Sequence, residues 1–296
     1  MEVIRTVAAM RAVRTAWQNG QKTAGFVPTM GYLHAGHISL VRRARRENDQ
    51  VIVSIYVNPT QFGPHEDFTR YPRDLPRDLA MLEVEQVDYV FAPEHNEEMY
   101  PIGSATYVVL EGPIVERLEG VSRPGHFRGV ATVVTKLFEI VRPTIAYFGQ
   151  KDAQQAAVIQ RMTSDLFLDI QIQVAPIIRE PDGLAMSSRN VYLQGDDRAA
   201  ATVLYRALQA ARAMIDDGER NGDKIREAMR RVILAEPRAH LDYVSVCDPA
   251  TMVELDEVRP PALLPLAVRI GPARLIDNFL WRADGSWEVG RQADEV

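Results

Sequence analysis

The sequence predicts an α/β protein, a doubly wound parallel sheet with a second, smaller α+β domain, and three observations carry that expectation. From residue 24 to about 175, short β-branched or aromatic runs alternate with longer stretches of helical periodicity, as parallel strands joined by crossover helices require. Beyond "IIREPDGLAMSSRNVYL" the composition shifts to Ala- and Arg-rich helical stretches followed by strand-like runs. The length, 296 residues, leaves room for two domains.

Taken in order, the opening "MEVIRTVAAMRAVRTAW" alternates Arg with apolar residues as a surface helix would, and lacks the uninterrupted apolar core of a signal peptide. Six runs then read as strands: "AGFVPT", "QVIVSIYV", "VDYVFA", "ATYVVLE", "IAYFG" and "LDIQIQVAP". Between them "GHISLVRRARREN", "DLPRDLAMLEVEQ", "GVATVVTKLFEIV" and "DAQQAAVIQRMTSDL" read as amphipathic helices. Such a sheet is covered on both faces and takes its ligands at the carboxyl ends of its strands.

We place the first domain at residues 1–177 and the smaller one at 178–296, with the turn-rich segment around 179–190 as the connection. The smaller domain is expected to hold helices near 196–217 and 222–236, then strands at "LDYVSVCD", "LAVRIG" and "ARLIDNFLW". The final "RADGSWEVGRQADEV" is polar and reads as a loose tail. No internal repeat or low-complexity segment interrupts the chain.

Thirty-four Lys plus Arg against 40 Asp plus Glu give a formal net charge of -6, which argues against a non-specific nucleic-acid binder. The lone cysteine, Cys247, excludes an intramolecular disulfide and a thiolate-rich zinc site, and it fits a reducing, cytoplasmic compartment. No stretch approaches the roughly 20 apolar residues of a membrane span.

The densest chemistry lies in "TMGYLHAGH", between the first strand and first helix of the sheet. A helix N-terminus offers backbone N–H groups and a positive dipole end to phosphate. Gly31 and Gly36 allow close backbone approach or positive φ, and His34 and His37 would aim donors at the same anion. A metal reading would need a carboxylate or cysteine partner at suitable spacing, and none is adjacent. Ordinary structural histidines remain the other alternative.

Four further segments are polar at strand ends or helix starts. "YVNPTQF" ends in Gln61, an amide able to donate and accept at once, although Asn58 and Pro59 could simply form a turn. "RPGHFRGV" gathers Arg123, His126 and Arg128, which suit an anion or a charged surface equally. "YFGQKDAQQ" repeats the strand, glycine turn and helix construction, with Lys151 able to neutralise phosphate and Asp152 to bind a cation or a hydroxyl, or else to cap the helix. "GLAMSSRN" sets two hydroxyls beside Arg189, a set that can follow charge onto departing pyrophosphate or form a capped turn.

Together "PTMGYLHAGH", "YVNPTQF", "RPGHFRGV", "FGQKD" followed by "QQ", and "GLAMSSRN" resemble the pantoate–β-alanine ligase (pantothenate synthetase) family in order and spacing, over nearly the whole chain. That family lies within the nucleotidyltransferase superfamily, whose His-Ile-Gly-His and Lys-Met-Ser-Lys-Ser signatures correspond to "HAGH" and "MSSR". The resemblance implies a Rossmann-like sheet and a C-terminal lid domain. It also implies ATP-dependent condensation of (R)-pantoate with β-alanine through a pantoyl adenylate, giving pantothenate, AMP and pyrophosphate.

Carried over residue by residue, the resemblance assigns ATP to Met30, Gly31, Tyr32, Leu33, His34, Ala35, Gly36 and His37. It also assigns ATP to Gly149, Gln150, Lys151, Asp152, Ile178, Met186, Ser187, Ser188 and Arg189, and pantoate to Gln61 and Gln155. Gln61 also meets β-alanine. His34, His37 and Lys151 are the implied catalytic groups, with His37 the proton donor. Mg²⁺ is expected with ATP, held mainly by phosphate, with no protein metal ligand named, and a homodimer is expected. The rival enzyme, a nucleotidyltransferase joining AMP or CMP to a phosphorylated acceptor, gives no reason for Gln61 and Gln155, and a non-catalytic nucleotide-binding module is the other alternative.

Overall fold

Strands that are apolar on both faces need cover on both faces, and the pattern of burial in the first half of the chain follows that demand. The computed structural model describes residues 1–64 and 66–293. The chain divides into two compact units: residues 1–111, 123–149 and 158–175 form the first, and residues 112–122, 150–157 and 176–296 form the second.

In the first unit β1 (Glu2–Ile4), β2 (Ala24–Thr29), β3 (Gln50–Ile55), β4 (Tyr89–Phe91), β5 (Ile145–Gly149) and β6 (Gln171–Ala175) make an all-parallel sheet in the order β1-β4-β3-β2-β5-β6. Alternate residues point to opposite faces. Phe26, Ile52, Phe91, Ala146 and Phe148 pack against Met10 and Trp17 of the helix Val7–Asn19 and the apolar side of the helix His126–Val141. Val27, Val51, Val53, Val90 and Tyr147 pack with Ile38, Val41 and Ala44 of the helix Ala35–Glu47 and Leu82 of the helix Leu75–Val84. The result is the expected doubly wound α/β layer arrangement.

The strand order reverses between β2 and β5, which is where an open parallel sheet offers a crevice. β2 pairs with β5 only at Gly25 and Phe26. Pro28 follows, and it has no N–H to continue a ladder. A proline near the end of a central strand therefore marks the switch point.

In the second unit β8 (Ala239–Val244), β9 (Ala262–Ile270), β10 (Ala273–Trp281) and β11 (Trp287–Glu288) form an antiparallel sheet in the order β11-β10-β9-β8. The helices Val203–Asp216 and Gly222–Leu234 bury Leu204, Ala207, Leu208, Ile225, Met229 and Ile233 in one core with Leu264, Leu266, Val268 and Phe279 of that sheet. Two short strands, β7 (Ile178–Arg179) and β12 (Arg291–Gln292), pair in parallel.

Three expectations about elements need correction. "ATYVVLE" is not a strand: Val108 donates its N–H to Thr132 Oγ1 at 3.0 Å, and Val108 and Leu110 pack on the core without a strand partner. The opening segment contains an edge strand, β1, before its helix. The polar end is not loose as far as Gln292. Arg282 and Ser286 close a turn at 2.8 Å, Trp281 stacks on Trp287 with centroids 5.7 Å apart, and β12 joins β7. Residues 294–296 of that expected tail lie outside the described residues.

Candidate active site

In the first unit the segment after β2 turns sharply before its helix begins. Gly31 has φ +81° and Tyr32 φ +51°, so the turn uses the left-handed region twice in succession. His34 is the N-cap of the helix Ala35–Glu47, and its Nδ1 accepts the Gly36 N–H at 3.1 Å. His37 answers it, with Nδ1 accepting the His34 N–H at 3.4 Å, so two histidines form the reciprocal cap usually made by Ser and Glu. Because each Nδ1 accepts a backbone hydrogen, the ring proton of each neutral imidazole belongs on Nε2. The rings lie 4.1 Å apart, centroid to centroid. Two Nε2–H donors beside a helix N-terminus suit an anion better than a metal, which would need ring lone pairs.

A buried carboxylate holds this turn in place. Asp78 is 1% exposed, and its two oxygens accept the N–H groups of Tyr32 at 2.7 Å and Leu33 at 2.8 Å. Burial pushes its carboxyl above the ordinary range, and the two backbone donors pull it partly back. Arg77 donates to the Leu33 carbonyl at 2.9 Å and lies over the Tyr32 ring.

Gln61 closes the short 3-10 turn Pro59–Gln61, and its amide is buried. Nε2 donates to Met30 Sδ at 3.1 Å, and Oε1 accepts from Asn58 Nδ2 at 3.1 Å, so the histidine segment and the expected pantoate residue meet within one unit. Asn58 is itself fixed by Tyr100 OH and Thr60 Oγ1, which donate to its Oδ1 at 2.9 and 3.0 Å. Arg123 and His126 support this turn from behind. Arg123 pairs with both Glu66 oxygens at 2.8 Å and with His126 Nε2 at 3.1 Å. A guanidinium only donates, so His126 Nε2 accepts and its Nδ1–H donates to the Gln61 carbonyl at 2.9 Å. Arg128 stands apart from this cluster, exposed, over the ring of Tyr107.

In the second unit Gln150, Lys151 and Asp152 form a 3-10 turn before the helix Ala153–Asp165, with Lys151 Nζ 3.9 Å from Asp152 Oδ1. The glutamine pair that follows divides its work. Gln154 is buried and its amide serves Ile114 O, Arg117 O and the Glu119 N–H, whereas Gln155 is half-buried and makes no side-chain hydrogen bond among the described residues.

"GLAMSSRN" lies on a small hairpin: Glu180 N–H donates to Leu184 O at 2.8 Å and Met186 N–H to Ile178 O at 2.9 Å. Ile178 and Met186, 8 residues apart in sequence, thereby become backbone neighbours. Ser187 caps the following 3-10 turn by accepting the Arg189 N–H at 3.3 Å, and Ser188 is buried within it.

A sequence model described as pantoate-beta-alanine ligase matches residues 2–280. The chain belongs to the pantoate–β-alanine ligase family. A pantothenate synthetase from Roseiflexus sp. strain RS-1 is 64% identical over 283 residues, 96% of this chain and 100% of that protein. Among solved structures, the pantoate–β-alanine ligase of Thermus thermophilus superposes with a TM-score of 0.90 at 48% identity, covering 98% of this chain and 100% of that one. The enzyme from Francisella tularensis, solved with beta-gamma ATP and β-alanine, matches at a TM-score of 0.79 and 36% identity over 95% and 97% of the two chains. The activity is therefore that of a ligase joining pantoate to β-alanine.

Three supporting residues escaped the motif reading, and each had left a trace in the sequence. Asp78 falls on the apolar stripe Leu75, Asp78, Leu79, Leu82 of its helix, where a charge is out of pattern. Asn58 lies inside a quoted motif but reads as a turn residue. Asn278 follows Asp277 in the middle of the otherwise apolar "ARLIDNFLW", so two consecutive polar residues interrupt a strand that is buried there on both faces.

Proposed function

We propose that the chain performs its ligase reaction in two steps, an in-line nucleotidyl transfer and then an acyl transfer, with His34, His37 and Lys151 stabilising phosphate charge in the first. A pantoate carboxylate oxygen attacks the α-phosphorus of ATP, the α–β bridging P–O bond breaks, and pyrophosphate leaves. The β-alanine nitrogen then attacks the acyl carbon of the pantoyl adenylate, the C–O bond to phosphate breaks, AMP leaves, and the amine loses a proton. Met30–His37, Gly149–Asp152, Ile178 and Met186–Arg189 bind ATP. Gln61 and Gln155 bind pantoate, and Gln61 also meets β-alanine.

The reciprocal histidine cap is the observation that carries this reading. With Nδ1 accepting a backbone hydrogen, neutral His37 offers Nε2–H to a phosphate oxygen. An imidazolium would set a second N–H against that of His34. We therefore read His37 as a hydrogen-bond donor to an oxygen of the pentavalent phosphoryl group rather than as the source of a transferred proton. Mg²⁺ would accompany ATP in this scheme, held mainly by phosphate oxygens, and would neutralise part of their charge. Asp152, with its side chain 48% exposed, is one carboxylate at the phosphate-binding turn, which suits an ion held mainly by phosphate oxygens. A cytoplasmic location and a homodimer complete the reading, and light scattering of the purified protein checks the second.

Mass spectrometry of a reaction of enzyme, ATP and pantoate stopped before β-alanine is added should reveal pantoyl adenylate. His37→Ala and Lys151→Ala should each slow its formation by about 10²-fold or more with the fold intact, the usual size for a lost charge-stabilising group. Rates within threefold of the parent would refute their catalytic role. A dinucleotide made from a phosphorylated acceptor would support the rival transferase.

A further inference from the structure

The second unit contains a buried charge pair that the motifs did not anticipate. Arg179 is 2% exposed and grips Asp277 with both terminal nitrogens, Nη1 to Oδ2 at 2.7 Å and Nη2 to Oδ1 at 2.8 Å. Two further N–H groups go to carbonyls: Nη1 also donates to Gly183 O at 2.9 Å, and Nε to Val289 O. Tyr205 and Phe279 flank the guanidinium, with ring centroids 4.8 and 5.3 Å from its carbon. A planar fork with its N–H groups placed this way fixes the hairpin that carries Ile178 and Met186–Arg189.

The same pair extends to the lysine turn. Asp277 Oδ1 accepts the Asn278 N–H at 2.7 Å. The Asn278 side chain, also buried, donates from Nδ2 to Gln150 O at 3.0 Å and to Lys151 O at 3.1 Å, and its Oδ1 accepts from Gln150 Nε2 at 3.0 Å. One amide thus holds the backbone on which the Lys151 ammonium is mounted. Sheet pairing alone would not require a polar side chain there, because β10 has β9 along its whole length.

We propose that Asn278, its own N–H held by Asp277 of the Arg179–Asp277 pair, is a positioning residue that sets Lys151 for the phosphates of ATP. The proposal rests on the reading of Lys151 as an ATP ligand. Because Asn278 touches the Lys151 carbonyl and not the ammonium, it acts through the lysine. Its loss should matter only while the lysine is present.

A double-mutant cycle on the full-length enzyme tests this, with pantoate-dependent exchange of pyrophosphate into ATP as the assay and thermal melting as the check on folding. Asn278→Ala should lower kcat/KM for ATP by about 10- to 100-fold, as a displaced catalytic group does. In the Lys151→Ala background the same substitution should cost less than about threefold, because coupled residues are not additive. A purely structural role would lower the rate by the same factor in both backgrounds, and that result would overturn the proposal. So would a folded Asn278→Ala enzyme within threefold of the parent. Should Asn278→Ala melt below the assay temperature, Asn278→Ser is measured in the same cycle with the same expectations. Wild-type exchange in Lys151→Ala alone would instead remove the reading of Lys151, and the proposal with it.

Discussion

Asp78 bears on the turn that leads to His34 through two backbone hydrogen bonds, from the Tyr32 and Leu33 N–H groups. Removing a carboxylate from water costs several kcal/mol unless partners compensate, and the raised carboxyl of Asp78 says that Tyr32 and Leu33 compensate only in part. What the protein gains is a fixed path for the turn that ends in His34. Asp78→Asn keeps the volume but turns one acceptor into a donor facing a backbone N–H. We expect a loss of stability of about 1–2 kcal/mol, in the range for an unsatisfied buried group. Adenylate formation should fall by about tenfold or more, because small displacements of catalytic groups are costly in rate. Thermal melting and the exchange assay measure the two effects. A folded variant with exchange within twofold of the parent would remove Asp78 from the account of the site. His34 and His37 were legible in the sequence because glycines and a helix start surround them. The tautomer that makes them donors was not, since it depends on which nitrogen each ring turns to the backbone.

Elements carry the next layer, and the clearest case is the helix His126–Val141 against the turn Pro59–Gln61. A Cβ built on Gly129 would lie 2.3 Å from the Thr60 carbonyl oxygen and 2.7 Å from the Gln61 Cα, so only glycine lets the helix approach this closely. Asn58 donates to the Gly129 carbonyl at 3.3 Å across the same contact. Gly129→Ala should cost about 1–3 kcal/mol, as overpacking does, and should raise KM for pantoate more than KM for ATP by moving Gln61. Steady-state kinetics with each substrate varied in turn decides this, and an equal change in both constants would count against it. The sequence announced this helix through its apolar stripe, and β2, β3 and β5 through runs that are buried on both faces. It misled at "ATYVVLE", because β-branched residues also suit an extended segment laid on a helix. It was silent at β1, β11 and β12, where two or three residues cannot establish a period.

At the scale of the whole molecule the order of the chain and the membership of its compact units part company. The second unit draws residues 112–122 and 150–157 from upstream of residue 176, and they arrive with buried polar partners already assigned. Glu119 takes both terminal nitrogens of Arg274 at 2.8 and 2.7 Å and accepts from Tyr243 OH at 2.9 Å, while Gln150 and Lys151 satisfy Asn278. No periodicity in residues 178–296 could reveal these dependences, since each partner lies outside that range. A fragment spanning 178–296 would leave Arg274 without Glu119 and Asn278 without its acceptors. Breaking one buried ion pair costs about 3–5 kcal/mol, a large part of the roughly 5–15 kcal/mol that holds a domain folded. Cys247 supplies the readout. It is fully buried in the core of this unit, and burial pushes its thiol up to about 12, so at pH 8 the full-length protein should react with a thiol reagent only as fast as that core opens. In the fragment the same thiol should react at nearly the rate of a free cysteine, and adding urea should speed it little. A fragment whose Cys247 stays as protected as in the full chain would mean that residues 178–296 fold without the segments drawn from earlier in the chain.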